Sequence, residues 1–131
     1  MLVKSKIILI GLNIKYECIA LVDSGTRMSI VDKDLANKLG LEYTGRKFKI
    51  ISFSGHEVEA MEAIVKEIIL ENVSLKYAVV AVTNIPSKVK NILKTHGVDE
   101  NVIIGLLTLE RANLIPDTAT GKLKKAPAFI L

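Results

Sequence analysis

The sequence contains one cysteine, no tryptophan and no glutamine in 131 residues. A lone thiol, Cys18, excludes an internal disulfide and cannot anchor a metal by itself. It lies in an apolar run with no histidine near it in sequence, so it reads as a small core residue rather than a catalytic thiol. The two histidines, His56 and His96, form no metal-ligand spacing with Cys18 or with each other, which disfavours a metalloenzyme. Aromatics make up only 5% of the chain, a poor supply for a platform that stacks single-stranded nucleic acid. Half the residues are hydrophobic, yet no apolar run approaches the roughly 18 residues that would span a bilayer. The first run, Ile7–Ile10 behind Lys4 and Lys6, is too short for a signal-peptide core, and no small-residue cleavage site follows it. The expectation is a cytoplasmic protein with no metal, cofactor, nucleic-acid or membrane partner.

What remains is a globular balance. Charged residues are 24% of a 14.3 kDa chain, which suits one domain over residues 1–131. The net charge of +4 comes mostly from lysines spread along the chain, with one cluster at Lys122, Lys124 and Lys125. That pattern reads as a solvated basic surface, with weak attraction to polyanions as its main consequence. Missing glutamine beside abundant Ile, Lys and Glu leans toward a thermophile.

Short strands dominate the patterning. Lys4–Ile10 and Ile14–Val22 read as strands around a Gly11-Leu12-Asn13 turn. The second alternates and then becomes apolar at each of Ile19, Ala20, Leu21 and Val22, as if entering a two-sided core. Asp32 or Asp34 caps a short helix that stops at Gly40. Arg46–Phe53 and Glu57–Val65 form a hairpin with its tip at Ser54–His56, and Ile68–Leu70 and Leu75–Val82 are further strands. Pro86 opens a second helix ending near Gly97, Asn101–Ile104 is a short strand, and Leu106–Ala112 is a third helix. Asn113–Pro116 and Lys122–Lys124 close as a last hairpin. The sum is an all-β, mainly barrel-like fold with two or three short helices.

One stretch carries chemistry: Leu21-Val22-Asp23-Ser24-Gly25-Thr26, followed by Ser29-Ile30-Val31. A buried strand is a costly place to end on a carboxylate unless that group is paired or used. Ser24 and Thr26 supply hydroxyls, and Gly25 lets backbone N–H groups approach the acid. The tripeptide alone is weak, since an Asp-Ser/Thr-Gly occurs by chance in roughly one chain in twenty of this size. An ordinary Asx turn explains it equally well in isolation. The other acids, Asp32, Asp34, Asp99 and Asp117, stand in polar contexts without Ser/Thr-Gly after them.

Taken in order along the chain, these motifs resemble the retropepsin-like aspartic proteases, the single-domain relatives of retroviral protease. The Asp23-Ser24-Gly25-Thr26 motif with Ser29-Ile30-Val31 fits the family signature. Leu35–Leu41 resembles the helix ending in Gly-Leu that follows in cellular members. Phe53-Ser54-Gly55-His56 resembles the flap tip, and Val102-Ile103-Ile104-Gly105 the late apolar-apolar-Gly element before a helix and hairpin. The resemblance implies a closed acid-protease β-barrel with a flap hairpin. It implies a homodimer in which Asp23 from each subunit shares a water and hydrolyses a polypeptide. Ser24, Gly25 and Thr26 would support the catalytic loop, Ile104 and Gly105 the loop beneath it, and Ser54, Gly55 and His56 would close over the substrate. Three features depart from retroviral members: Arg27 and Met28 stand where those place acidic residues, the helix after Pro86 has no clear counterpart, and the flap tip carries only Gly55 instead of a Gly-rich run.

Several readings stay open at this level. His56 contacts substrate or is an exposed turn residue. Arg27 pairs with an acid across the dimer or sits in solvent. The apolar end Phe129-Ile130-Leu131 joins a dimer sheet or frays. The alternative to an active endopeptidase is a catalytically weak retropepsin-like module used for binding or dimerisation. A basic nucleic-acid-binding barrel is a distant third.

Overall fold

The computed structural model describes residues 2–51, 55 and 57–127. Along them run the strands β1 (Val3–Ile10), β2 (Lys15–Val22) and β3 (Ile30–Asp32), then helix α1 (Lys33–Leu39). Strands β4 (Glu42–Ile51), β5 (Glu57–Leu70) and β6 (Val73–Thr83) lead to helix α2 (Ser87–Thr95). Strand β7 (Val102–Ile104), helix α3 (Leu106–Ala112), β8 (Leu114–Asp117) and β9 (Lys122–Lys125) complete the order. Hydrogen bonding joins β1-β2-β7-β3-β6-β5 in that order, and β5 returns to β1 through Ile7↔Leu70 to Ile10↔Glu67. The result is a closed six-stranded barrel of mixed direction: β2–β7 and β3–β6 are parallel, the remaining pairs antiparallel. Closure removes the free edges that an open sheet of these strands would expose.

Strand β5 makes the closure work because it is long enough to serve two neighbours on one edge. Its first half, Glu57–Ile64, pairs with β4, and its second half, Glu67–Leu70, pairs with β1. Strand β4 therefore leaves the barrel as an arm of the β4–β5 hairpin. The sequence suggested a break between Val65 and Ile68 because Lys66-Glu67 interrupts the apolar pattern. The structure corrects this: β5 is continuous. Glu67 faces outward, pairs with Lys76 of β6 at 3.0 Å and accepts a hydrogen bond from Ser74, while the backbone ladder runs on beneath. The β5–β6 turn is two residues, Glu71 and Asn72, both with positive φ (49° and 67°), the tight reversal whose twist matches the strands.

Side-chain alternation fills the interior. In β1, Val3, Ser5, Ile7 and Leu9 point inward and the residues between them outward. Val31, Val65, Ile68, Leu70, Val80, Val102 and Ile104 meet them in one buried cluster. Each fully buried aliphatic contributes about 1.5–3 kcal/mol. The two-sided burial expected for Ile19–Val22 holds only in part. Ala20 and Val22 face the barrel interior, and Leu21 packs in a second cluster with Leu93, Val98 and Ile103, but Ile19 is 52% exposed. Helix α2 lays Val89 and Leu93 on that second cluster, outside the ring.

The ends of the barrel are tied by polar and close-packed contacts. Helix α1 is capped by Asp32, whose carboxylate accepts from the Asp34 N–H, and stops at Gly40, φ 77°. Its C-terminus seats on the β1–β2 turn, where a Cβ on Gly11 would fall 2.0 Å from the Leu39 carbonyl oxygen, so only glycine fits. Asp32, a candidate cap from sequence, does more than cap: it is 3% exposed. Its Oδ1 accepts from the Ile85 N–H (3.0 Å) and meets Lys90 Nζ at 3.4 Å, so one carboxylate joins β3, α1, α2 and the end of β6. The signal was present in Ile30-Val31-Asp32, an acid ending an apolar run like Asp23. Replacing Asp32 with Ala leaves two backbone N–H groups without their acceptor and the partly buried Lys90 ammonium with only Asn101 Oδ1 at 3.3 Å. We expect Asp32→Ala to lose about 3 kcal/mol in urea unfolding followed by circular dichroism, and Lys90→Met distinctly less.

Candidate active site

Strand β2 delivers Asp23 to the rim of the barrel. The Asp23 N–H donates to the Ile104 carbonyl (2.9 Å), extending the parallel β2–β7 ladder by one bond and fixing where the turn begins. The chain then folds back on the carboxylate. The Gly25 N–H donates to Oδ1 and the Thr26 hydroxyl to Oδ2, each at 2.9 Å, while the Thr26 N–H closes the turn on the Asp23 carbonyl at 3.1 Å. Both oxygens are thus oriented by short-range donors of the same turn. Asp23 is half-buried, with Ser24 and Gly25 exposed beside it. Ser24, expected to support the loop, makes no side-chain hydrogen bond among the described residues.

A second loop crosses beneath. The N–H groups of Leu106 and Leu107 donate to the carbonyls of Thr26 and Arg27 (2.7 and 2.9 Å). A Cβ on Gly105 would lie 2.6 Å from the Met28 carbonyl carbon and 2.7 Å from the Thr26 oxygen, both backbone. Glycine is required here for close approach, not for its φ of −105°. Ser29 locks the crossing from below. It is 1% exposed, its Oγ accepts from the Gly105 N–H (2.9 Å), and its hydroxyl pairs with that of Thr108 at 2.6 Å. The structure therefore brings Asp23, Gly25, Thr26, Ile104 and Gly105 together. Thr108 was not singled out from sequence; it lies on α3, and only the crossing of the two loops brings its hydroxyl to Ser29.

Above this floor the β4 arm leans over Asp23. A cleft of about 710 Å³ is bounded by the Asp23 turn and Arg27, Met28 and Ile30 on one side. Arg46, Phe48, Lys49, Ile50 and Ile51 of β4 form the other side. Of the flap residues expected from sequence, Gly55 is exposed with φ 80° and does not line the cleft; Ser54 and His56 fall outside the described residues, as does Phe129–Leu131. Phe48 and Ile50 were missed as site residues. Their alternation with Lys47 and Lys49 marks an apolar face, but whether it packs on the barrel or overhangs a cleft is decided only by the path of β4.

Cys18 and Tyr16 stand apart from this cleft. Burial, reinforced by the negative charge of Asp99, pushes the Cys18 thiol up to about 12. Burial and the hydrogen bond to Asp99 likewise raise Tyr16 to about 12. The inward-facing reading of Cys18 is consistent with this chemistry. Among the described residues no helix is long and apolar enough to cross a membrane.

The closed barrel, the Asp-Ser-Gly turn braced from below by an Ile-Gly crossing and the β4–β5 hairpin are those of the retropepsin-like fold. The pattern of the family described as "gag-polyprotein putative aspartyl protease" matches residues 10–111, and the chain belongs to that family. Solved structures similar to it include the retroviral protease-like domain of Ddi1 from Leishmania major (TM-score 0.60, 17% identity, 95% of this chain and 88% of that one). They also include EIAV protease complexed with the inhibitor HBY-793 (TM-score 0.52, 24% identity, 82% of this chain and 85% of that one). At these identities the likeness concerns the fold. No curated protein matches the sequence.

Only the thiolate reacts with alkylating agents, so a thiol titrating near 12 is almost wholly protonated at neutral pH. Iodoacetamide labelling of the native protein should be far slower at pH 8 than for a free cysteine. It should rise about tenfold per pH unit up to the folding limit, and mass spectrometry of Cys18 checks this.

Proposed function

We propose that the protein is a homodimeric aspartic endopeptidase whose catalytic centre is a pair of Asp23 carboxylates, one from each subunit. The observation that carries this reading is the Asp23 turn. It holds a carboxylate by donors on both oxygens at the floor of an open cleft, with Ser24 and Gly25 exposed alongside. Amide hydrolysis by carboxylates needs two of them facing one water. Residues 1–131, taken as one domain, contain one Asp-Ser/Thr-Gly motif. A two-fold axis beside Asp23 supplies the second.

The chemistry follows from placing two carboxyl groups about 3 Å apart. Both cannot ionise cheaply, so the pair holds one proton and titrates as a unit. The ionised member takes a proton from the bound water as it attacks the scissile carbonyl. The protonated member donates to the carbonyl oxygen, and the departing amine then receives a proton from the pair. Gly25 N–H and the Thr26 hydroxyl keep both carboxylates oriented through the cycle. The exposed Ser24 hydroxyls brace one loop against its twin. The β4–β5 hairpin closes over an extended polypeptide and excludes water. The reading needs no metal or cofactor and takes the enzyme to be cytoplasmic.

Asp23→Asn should lower kcat by at least about a thousandfold on any peptide the parent cleaves, with the circular dichroism spectrum and sedimentation coefficient of the dimer unchanged. Cleavage at the parental rate would remove Asp23 from the mechanism. A parent that dimerises but cuts nothing in a broad peptide library, from acidic to neutral pH, would favour the binding-module reading. Where cleavage occurs, chelators should leave its rate unchanged.

A further inference from the structure

The cleft is unevenly charged. Three cations line it, Arg27, Arg46 and Lys49, against one acid, Asp23, which the proposed chemistry occupies. Two of the three cations are already engaged within the chain. Arg46 meets Glu62 at 3.3 Å and lies 5.7 Å from the Phe48 ring centre, and Lys49 meets Glu57 at 3.3 Å. Arg27 is exposed and has no acidic partner among the described residues. Its backbone is nevertheless fixed, because its carbonyl accepts from the Leu107 N–H at 2.9 Å and the loop beneath is locked by Ser29. A free guanidinium on a rigid base, one turn beyond the proposed catalytic acid, is a ready partner for a carboxylate.

We propose that Arg27 is a specificity-determining residue, selecting polypeptides that carry an acidic side chain close to the scissile bond. This rests on the endopeptidase reading for its cleavage arm but not for its binding arm. In a two-fold dimer an Arg27 stands on each side of the bond to be cut, so acids on either side are favoured. Apolar side chains at the bond itself fill the space between Met28 and Ile30 below and Phe48 and Ile50 above. Arg27 is solvent-exposed, so its attraction acts in binding, is screened by salt and discriminates mainly against like charge.

The test uses peptides identical except for Glu, Gln or Lys at each position flanking an apolar scissile pair. Cleavage by the parent should favour Glu over Lys by about tenfold in kcat/KM at low ionic strength, mostly through KM, and the preference should shrink in 1 M NaCl. Arg27→Met should flatten the preference and Arg27→Glu should invert it. The same fluorescent peptides are titrated onto the Asp23→Asn protein by anisotropy. Their order of affinity should match, so the proposal is tested even where turnover is too slow to measure. Equal affinity for Glu and Lys peptides, no binding of any peptide, or an unchanged order in Arg27→Glu would overturn it. So would dissociation of the dimer by Arg27→Glu in sedimentation, which would make the guanidinium an interface contact. Selective binding of Glu peptides without cleavage by the parent would uphold the role of Arg27 while removing the endopeptidase reading.

Discussion

The structure depends on the crossing of two loops at one end of the barrel, where backbone passes over backbone with only a glycine between. Strands β3 and β7 are three residues each, and β7 makes only two register pairs with each neighbour. Such short ladders cannot by themselves hold the barrel shut or fix the turns that leave it. The crossing supplies the missing constraint. Gly105 admits the Met28 and Thr26 backbone, and the buried Ser29 hydroxyl takes the Gly105 N–H while meeting Thr108. A buried N–H left without an acceptor would cost more than an ordinary hydrogen bond contributes, so the hydroxyl is structural.

Everything proposed for the site inherits that rigidity. The Asp23 turn is pinned at its start by Ile104 and at its end by Leu106, so the carboxylate has little freedom to swing. Its two oxygens are each met by a donor from the next three residues. The β4 arm, by contrast, is anchored along one edge only and ends in a hairpin that leaves the barrel. A firm floor beneath a less constrained roof suits a cleft that must admit a chain and then hold it in register.

Part of this was written plainly in the sequence. The alternation in β1, the Asp32 cap with the Gly40 stop, and the Leu106–Ala112 helix were legible because each rests on residues close in the chain. Lys66-Glu67 misled because a polar pair in a strand looks like a break, whereas the ladder to β6 runs through it and Glu67 finds Lys76 there. Beyond its cap, the junction that Asp32 makes was not read, because its partners, Ile85 and Lys90, lie more than fifty residues away and the apolar run before it was the only local sign. The same holds for Thr108, which meets Ser29 across 79 positions.

The amino-acid order by itself determined most of the strands, the α1 cap and the Asp23-Ser24-Gly25-Thr26 turn, since propensity, periodicity and short-range hydrogen bonding act within a few residues. Tertiary structure alone decided which of those turns would cross and which carboxylate would be buried in a junction rather than opened to a cleft. It also decided which cation would be left facing that cleft without an acidic partner among the described residues. Those outcomes depend on groups far apart in the chain arriving within 3 Å of each other, and only the closure of the barrel brings them there.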